Sequence, residues 1–236
     1  MLDAIRTPAT ATESDAANAA ISGTVFDRFK IGAQAMLALL RDPDDIEQVF
    51  LLGIVANAAE FPRFLAKFAS TAQGEALLAE KPAIDGEVVA RLRLLPTGTL
   101  GGAYARYLDE NNLDADLFTA PPGLPQPAAY VAQRLRQTHD IWHVLTGYHP
   151  NVPGEIALQG FTYGQTRMPS AALIASLGTL RWMRKNPRAA RMAIDGYRRG
   201  RDATFLSSVR WEDHFDRRLE DVRRDFGVRG AAIEAA

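Results

Sequence analysis

Apolar residues along this chain return at intervals of three and four, and no stretch shows sustained strand alternation flanked by Asn-Gly or Asp-Gly turns. Phe26, Phe29, Ala33, Met36, Leu37 and Leu40 follow the helical interval. Arg41-Asp42-Pro43 stops that run, and Asp44 is placed to cap the next, Ile46, Val49, Phe50, Gly53 and Ile54. Phe61, Phe64, Leu65 and Phe68 repeat the pattern after Ala59. The spacing predicts an all-α protein of about nine or ten helices joined mostly by short loops.

With 236 residues, 47% of them apolar, the chain suits one large soluble domain or two small ones, and neither disorder nor collagen-like order fits. Pro121-Pro122-Gly123-Leu124-Pro125-Gln126-Pro127 is too rich in proline to be helix and reads as a connection across one core. Residues 1–22, rich in Ala, Thr, Ser and Asp with Arg6 as the single cation, have neither a signal-peptide core nor the character of a mitochondrial presequence. They are expected to be a disordered tail, with a helical domain over 23–228 and a short C-terminal tail over 229–236. Leu95-Pro96-Thr97-Gly98-Thr99-Leu100-Gly101-Gly102 reads as a turn feeding a helix through Tyr104, Tyr107 and Leu108, with Thr97 or Thr99 as its cap. Glycines before a helix N-terminus also suit an anion cradle, but the Lys-Ser/Thr of a P-loop is missing and the plain turn is the preferred reading.

Charge is divided unevenly. Residues 1–118 carry 10 Lys+Arg against 17 Asp+Glu, and residues 119–236 carry 17 against 11. Eight cations, Arg181, Arg184, Lys185, Arg188, Arg191, Arg198, Arg199 and Arg201, fall within 21 residues holding one acid, Asp195. So dense a patch points to an anionic partner, lipid headgroups or nucleic acid. Just before it, Met168 to Leu180 is uncharged for 13 residues until Arg181, which reads as a buried or interfacial helix. It falls short of the roughly 20 apolar residues that span a bilayer.

Zero cysteines exclude disulfides and thiolate metal sites, so a metal would be held by His, Asp and Glu. Three of the four histidines lie between 139 and 149. On a helix His139, Asp140 and His143 fall within an arc of about 100°, so one face presents two imidazoles and a carboxylate. That helix is expected to end at Gly147, and Pro150, Pro153 and Gly154 then force a turn that starts a second helix at Glu155. Such a hairpin returns Glu155 toward the first helix and completes an N2O2 ligand set, with the metal between two adjacent helices. His149 is read as a surface residue and Trp142 as pointing to the core. The plain alternative is a solvated face or a satisfied polar network.

Two other metal chemistries share parts of this motif. Nucleotide phosphohydrolases with a His-Asp doublet need a further His upstream, and none precedes His139. Zinc peptidases use His-Glu-x-x-His with the Glu as general base, and Asp140 is one methylene shorter, so a metal-dependent hydrolase is a minor alternative.

His139-Asp140-Ile141-Trp142-His143, then Val144 to Gly154, then Glu155, resembles the signature of the coenzyme Q (ubiquinone) biosynthesis protein 4 family: His-Asp-x-x-His, eleven residues, Glu. The likeness extends to Tyr130-Val131-Ala132-Gln133-Arg134-Leu135-Arg136, to Ile156-Ala157-Leu158-Gln159-Gly160-Phe161, to the Gly-Thr-Leu-Gly segment within Leu95 to Tyr104, and to Trp211-Glu212. It covers about residues 23 to 228, with Met168 to Arg201 matching only in general character.

The resemblance implies an all-helical, homodimeric protein peripheral to the membrane where ubiquinone is made, associated with other enzymes of that pathway. Only 4 of the 27 cations are Lys and the chain is rich in Ala, which hints at a bacterial source, so the expected place is the cytoplasmic face of a bacterial inner membrane, or less favourably the matrix side of the mitochondrial one, with no nucleic-acid partner. It implies oxidative decarboxylation of a polyprenylated benzoate precursor, with carboxyl removal and hydroxylation at ring carbon 1. His139, Asp140, His143 and Glu155 then serve as ligands of one divalent ion and as the catalytic site. Zinc is the first choice of ion, with iron, manganese, cobalt or magnesium as others. Arg181, Arg184, Lys185 and Arg188 become the membrane-surface residues. A prenyl-lipid-binding scaffold without catalysis is the rival reading.

Overall fold

A computed structural model describes residues 23–41, 45–117, 120 and 123–230, excluding the side chains of Val25, Leu40, Ile46, Glu47, Val49 and Phe50. The expected tail over residues 1–22 lies outside them. Among the described residues there are eleven α-helices, more than the spacing predicts, and a single isolated β-bridge, Thr99 with Arg218. The helices are α1 (Val25–Arg41), α2 (Ile46–Asn57), α3 (Phe61–Ala69), α4 (Ala72–Glu80), α5 (Gly86–Leu92) and α6 (Leu100–Glu110). They continue with α7 (Ala128–Thr146), α8 (Val152–Thr166), α9 (Pro169–Trp182), α10 (Ala189–Asp202) and α11 (Leu219–Asp225). The surplus comes from short helices, such as α5 and α11, whose two turns are too brief to show a periodicity of their own.

Local chemistry sets most of the starts. Thr71, Asp85, Thr99 and Asn151 each accept a hydrogen bond from the backbone N–H three residues on, at 2.9 to 3.1 Å. Such caps are each worth about 1 kcal/mol. At α2 the cap is Asp45, accepting from the Gln48 N–H at 3.2 Å, one residue later than the expected Asp44, which lies outside the described residues. Thr99, not Thr97, caps α6.

One main core draws on both sides of the proline-rich connection. Leu100, Tyr104 and Leu108 pack with Ile141, Leu145, Leu158, Phe161 and Trp211. A smaller cluster joins Phe64, Phe68 and Leu77 to Tyr130, Val131 and Met168. The α1–α2 pair has its own small cluster of Ala35, Leu39, Leu51 and Leu52, attached to the rest through α9. Not all of the apolar run on α1 faces the interior. Phe26, Phe29 and Leu37 are 75%, 73% and 54% exposed, and α1 turns Ala35 and Leu39 inward instead. The helix carries apolar residues on more than one face, and among the described residues its only extensive neighbour is α2.

Helix α10 lies along α8 at unusually close range. A Cβ on Gly160 would stand 2.2 Å from the Ala193 carbonyl oxygen, and one on Gly196 would stand 2.0 Å from that of Ala157. Glycine is required at both positions because backbone faces backbone there. Helix α9 covers another side of α8, burying Ala171 and Ala175 while leaving Leu180 exposed, so the uncharged run is half-buried rather than wholly one or the other.

Candidate metal centre

Helix α7 carries the His-Asp-x-x-His run near its C-terminal end. It stops where expected: Gly147 adopts a φ of +73° and donates its N–H to the His143 carbonyl at 2.8 Å. Only glycine enters that left-handed conformation without cost, which is why the chain reverses here. The next helix starts earlier than expected, at Val152 with Asn151 as cap, because Pro153 and Gly154 fit a first helical turn as well as they fit a loop. Glu155 therefore stands inside the first turn of α8, and the hairpin returns it to α7.

His139, Asp140 and His143 converge, and Glu155 stands against the two imidazoles without joining the mutually close set. Ligand atoms of His139, Asp140 and His143 all lie within 4.8 Å of one another. Glu155 reaches both imidazoles, Oε1 to His143 Nε2 at 2.9 Å and Oε2 to His139 Nε2 at 3.7 Å. Two ligands each about 2.1 Å from one tetrahedral ion stand about 3.4 Å apart. The two observed separations bracket that value, and the donor set, imidazole nitrogen plus carboxylate oxygen, suits a divalent ion of borderline character.

Electrostatics fit the same picture. Burial pushes the Glu155 carboxyl up, but hydrogen bonds and charge from His139 and His143 outweigh it and hold the group well below the usual carboxylate range. Burial favours neutral His139, and the hydrogen bond and charge of Glu155, with the charge of Asp140, reverse this and raise its pKa. Asp140 is raised by burial, only partly opposed by the two histidines. A cluster that must share protons in this way is also one that a cation can occupy in their place. The site is open on one side only: the His143 side chain is 1% exposed, whereas those of His139 and Glu155 are 30% and 42% exposed.

Trp142 is buried against Phe161 and His149 is exposed, as expected. Other contacts are not legible in the motif. His143 Nδ1 lies 2.9 Å from the Tyr148 carbonyl oxygen. The Tyr107 ring stacks on His143 with centroids 5.5 Å apart, and its buried hydroxyl has no hydrogen-bond partner among the described residues. Arg134, one and a half turns before Asp140 on α7, is wholly buried and donates to both carboxylate oxygens of Glu212. Tyr107, Arg134 and Glu212 all fall within segments singled out in the sequence, but their partners are far away along the chain.

Two candidate surfaces resolve differently. The backbone N–H groups at the start of α6 are taken: Leu100 donates to the Arg217 carbonyl, Gly101 to that of Phe215, and Gly102 to the Thr99 hydroxyl. No anion cradle forms there. Arg181, Arg184, Lys185 and Arg188 are all exposed at the end of α9 and in the turn after it, beside exposed Leu180 and Met183. They are remote from the metal cluster in sequence and do not contribute to it. No helix among the described residues is long and apolar enough to cross a membrane. A recess of 390 Å³ beside Glu212, lined by Val88, Leu92, Leu95 and Phe215 and rimmed by Asp213 and Asp216, includes none of His139, Asp140, His143 and Glu155.

A family profile described as coenzyme Q (ubiquinone) biosynthesis protein Coq4 matches residues 18–231. The chain is 28% identical over 211 residues to the mitochondrial ubiquinone biosynthesis protein COQ4 homolog of Drosophila ananassae, covering 86% of this chain and 78% of that protein. Against the Xenopus laevis homolog, also mitochondrial, identity is 28% over 202 residues, covering 84% and 71%. The fold also matches the crystal structure of a Nostoc punctiforme protein named for ubiquinone biosynthesis, with a TM-score of 0.68 at 24% identity, over 86% of this chain and 99% of that one.

Proposed function

Because the chain belongs to the coenzyme Q (ubiquinone) biosynthesis protein Coq4 family, we propose that it carries out the oxidative decarboxylation of a polyprenylated benzoate precursor at the site formed by His139, Asp140, His143 and Glu155. The observation that carries this reading is the convergence of His139, Asp140 and His143 on α7, with Glu155 of α8 reaching both imidazoles. These residues would hold a divalent ion, which would supply Lewis acidity toward a ring carboxylate and an adjacent phenolate oxygen.

The residues themselves account for orientation. His143, fully buried, forms the closed side of the site, and Glu155 and His139 form its open rim, so a substrate enters over the rim with its anionic group first. Asp140 and Glu155 would together offset the charge of a divalent ion held there, and the open rim would leave room for the substrate's own anion. Replacing the ring carboxyl by a hydroxyl is a two-electron oxidation; in this reading dioxygen is the oxidant and is reduced to hydrogen peroxide, so that benzoic acid, dioxygen and water give phenol, carbon dioxide and hydrogen peroxide. His139, Asp140, His143 and Glu155 would hold zinc, which has no redox chemistry of its own, or iron, manganese or cobalt, which would also supply redox chemistry.

The basic corner after α9 supports delivery from a membrane. Leu180 and Met183 offer apolar contact and Arg181, Arg184, Lys185 and Arg188 offer attraction to anionic headgroups, the combination by which peripheral helices bind. The exposure of Phe26, Phe29 and Leu37 on α1 favours a second reading, in which the protein is a scaffold that holds prenylated intermediates for partner enzymes of the pathway, as a homodimer or in a larger assembly.

The two readings separate on turnover. Purified, metal-loaded protein is supplied with a prenylated 4-hydroxybenzoate analogue and oxygen, and carbon dioxide release and ring hydroxylation are followed together. Loss of both in a folded His143→Ala variant supports catalysis. Wild-type protein that binds the analogue and never converts it establishes the scaffold instead.

A further inference from the structure

Arg199 belongs by sequence to the basic run of residues 181–201, but its side chain is only 11% exposed. Its Nη1 donates to the Tyr148 hydroxyl at 2.7 Å and its Nη2 to the Thr146 carbonyl at 3.1 Å. The guanidinium carbon lies 4.7 Å from the centre of the Tyr148 ring, within cation–π range. Asp195, one helical turn earlier, stands 3.7 Å from Arg199 Nη1 and 3.5 Å from the Tyr148 hydroxyl. Arg199 thus grips both sides of the Gly147 reversal that ends α7. The close, glycine-lined approach of α10 to α8 brings it there.

The gripped segment touches the metal cluster. The Tyr148 carbonyl stands 2.9 Å from His143 Nδ1. A carbonyl can only accept, so Nδ1 must carry the hydrogen, and the nitrogen left to face Glu155 at 2.9 Å is Nε2. A ring whose rotation is fixed in this way presents one defined ligand atom, and such outer contacts set both the tautomer and the direction of a metal-binding histidine.

We propose that Arg199 is a positioning residue of the metal centre, acting through Tyr148: it holds the Tyr148 carbonyl where it fixes the ring of His143. The proposal rests on the reading of His139, Asp140, His143 and Glu155 as metal ligands, and it removes Arg199 from the set of cations available to a membrane. A merely structural role would be different. An arginine that donates to a carbonyl at a helix end stabilises that end and need not affect a ligand one turn away.

The test compares wild type with Arg199→Leu, Tyr148→Phe and the double variant. Tyr148→Phe keeps the backbone carbonyl and the ring and deletes only the hydroxyl that Arg199 grips, so it serves where Arg199→Leu does not fold. Two quantities are read: cobalt(II) affinity by visible absorption, and hydrogen exchange of the His143 Nδ1–H in metal-free protein by NMR. Each single variant is expected to weaken cobalt binding by about tenfold to a hundredfold and to speed exchange of that hydrogen. The double variant is expected to be no worse than Arg199→Leu, since the hydroxyl acts through the same arginine. Unchanged affinity and exchange in variants with a lowered melting temperature would overturn the proposal. Wild-type protein that binds no cobalt would overturn the ligand reading instead, and the exchange measurement, made without metal, then decides the role of Arg199 alone.

Discussion

Arg134 and Glu212 meet as a two-pronged ion pair, Nη1 to Oε1 at 2.6 Å and Nη2 to Oε2 at 2.7 Å, with the Arg134 side chain wholly buried and that of Glu212 20% exposed. The pair ties α7, the helix of the His139–Asp140–His143 group, to the segment that follows α10. Removing one partner leaves a guanidinium uncompensated in the interior. Glu212→Ala is therefore expected to lower stability by about 3–5 kcal/mol, read as a shift in urea midpoint. A loss below 1 kcal/mol would mean that water reaches Arg134.

His139→Ala and Glu155→Ala are each expected to lose stoichiometric metal through desalting while keeping the helical circular dichroism of wild type. Elemental analysis of the purified protein is the check. Metal content unchanged in both variants would remove the assignment. Protons compete with metal for imidazole nitrogen, so retention by wild type is expected to weaken as pH falls below the histidine range.

Binding to anionic vesicles is expected to depend on Arg181, Arg184, Lys185 and Arg188, each contributing about 1 kcal/mol near a charged surface. Screening shortens the reach of these charges to about 10 Å at 0.1 M salt, so sedimentation with phosphatidylserine vesicles should fall as salt rises. Replacing all four with Glu should abolish it. Binding indifferent to both changes would exclude this corner as the contact.

His214 packs edge-on against Trp211 and Phe226, and burial, with the nearby Arg217 guanidinium, lowers its pKa. The unfolded chain then binds more protons than the folded one just below the ordinary histidine pKa of about 6.5. The stabilisation is present in full above that pH and is lost as pH falls through the folded value. Wild type should lose more stability than His214→Phe between neutral pH and pH 5, measured by urea denaturation of both. Equal losses would show that His214 does not contribute.

Much of the architecture was legible in the sequence because its causes are local. Helical spacing alone sets His139, Asp140 and His143 on one face. The glycine at 147 and the Asn-x-Pro-Gly run at 151–154 are short-range instructions for a reversal that carries Glu155 back. Even the errors were small where the cause was local, one residue at the α2 cap and three at the start of α8.

The sequence by itself thus determined the longer helices and the placement of His139, Asp140 and His143 on one face, since each depends on neighbours within a turn or two. Tertiary structure decided which face of α1 turns inward, that Tyr107 stacks on His143, that Glu212 neutralises an arginine 78 residues away, and that Arg199 leaves the basic surface to hold the turn beside His143. These outcomes depend on which helix packs against which. Periodicity marks a face as apolar or charged but does not name its partner. In this fold the partners of α7 and α8 are chosen by long-range fit, most plainly by the glycines that let α10 approach.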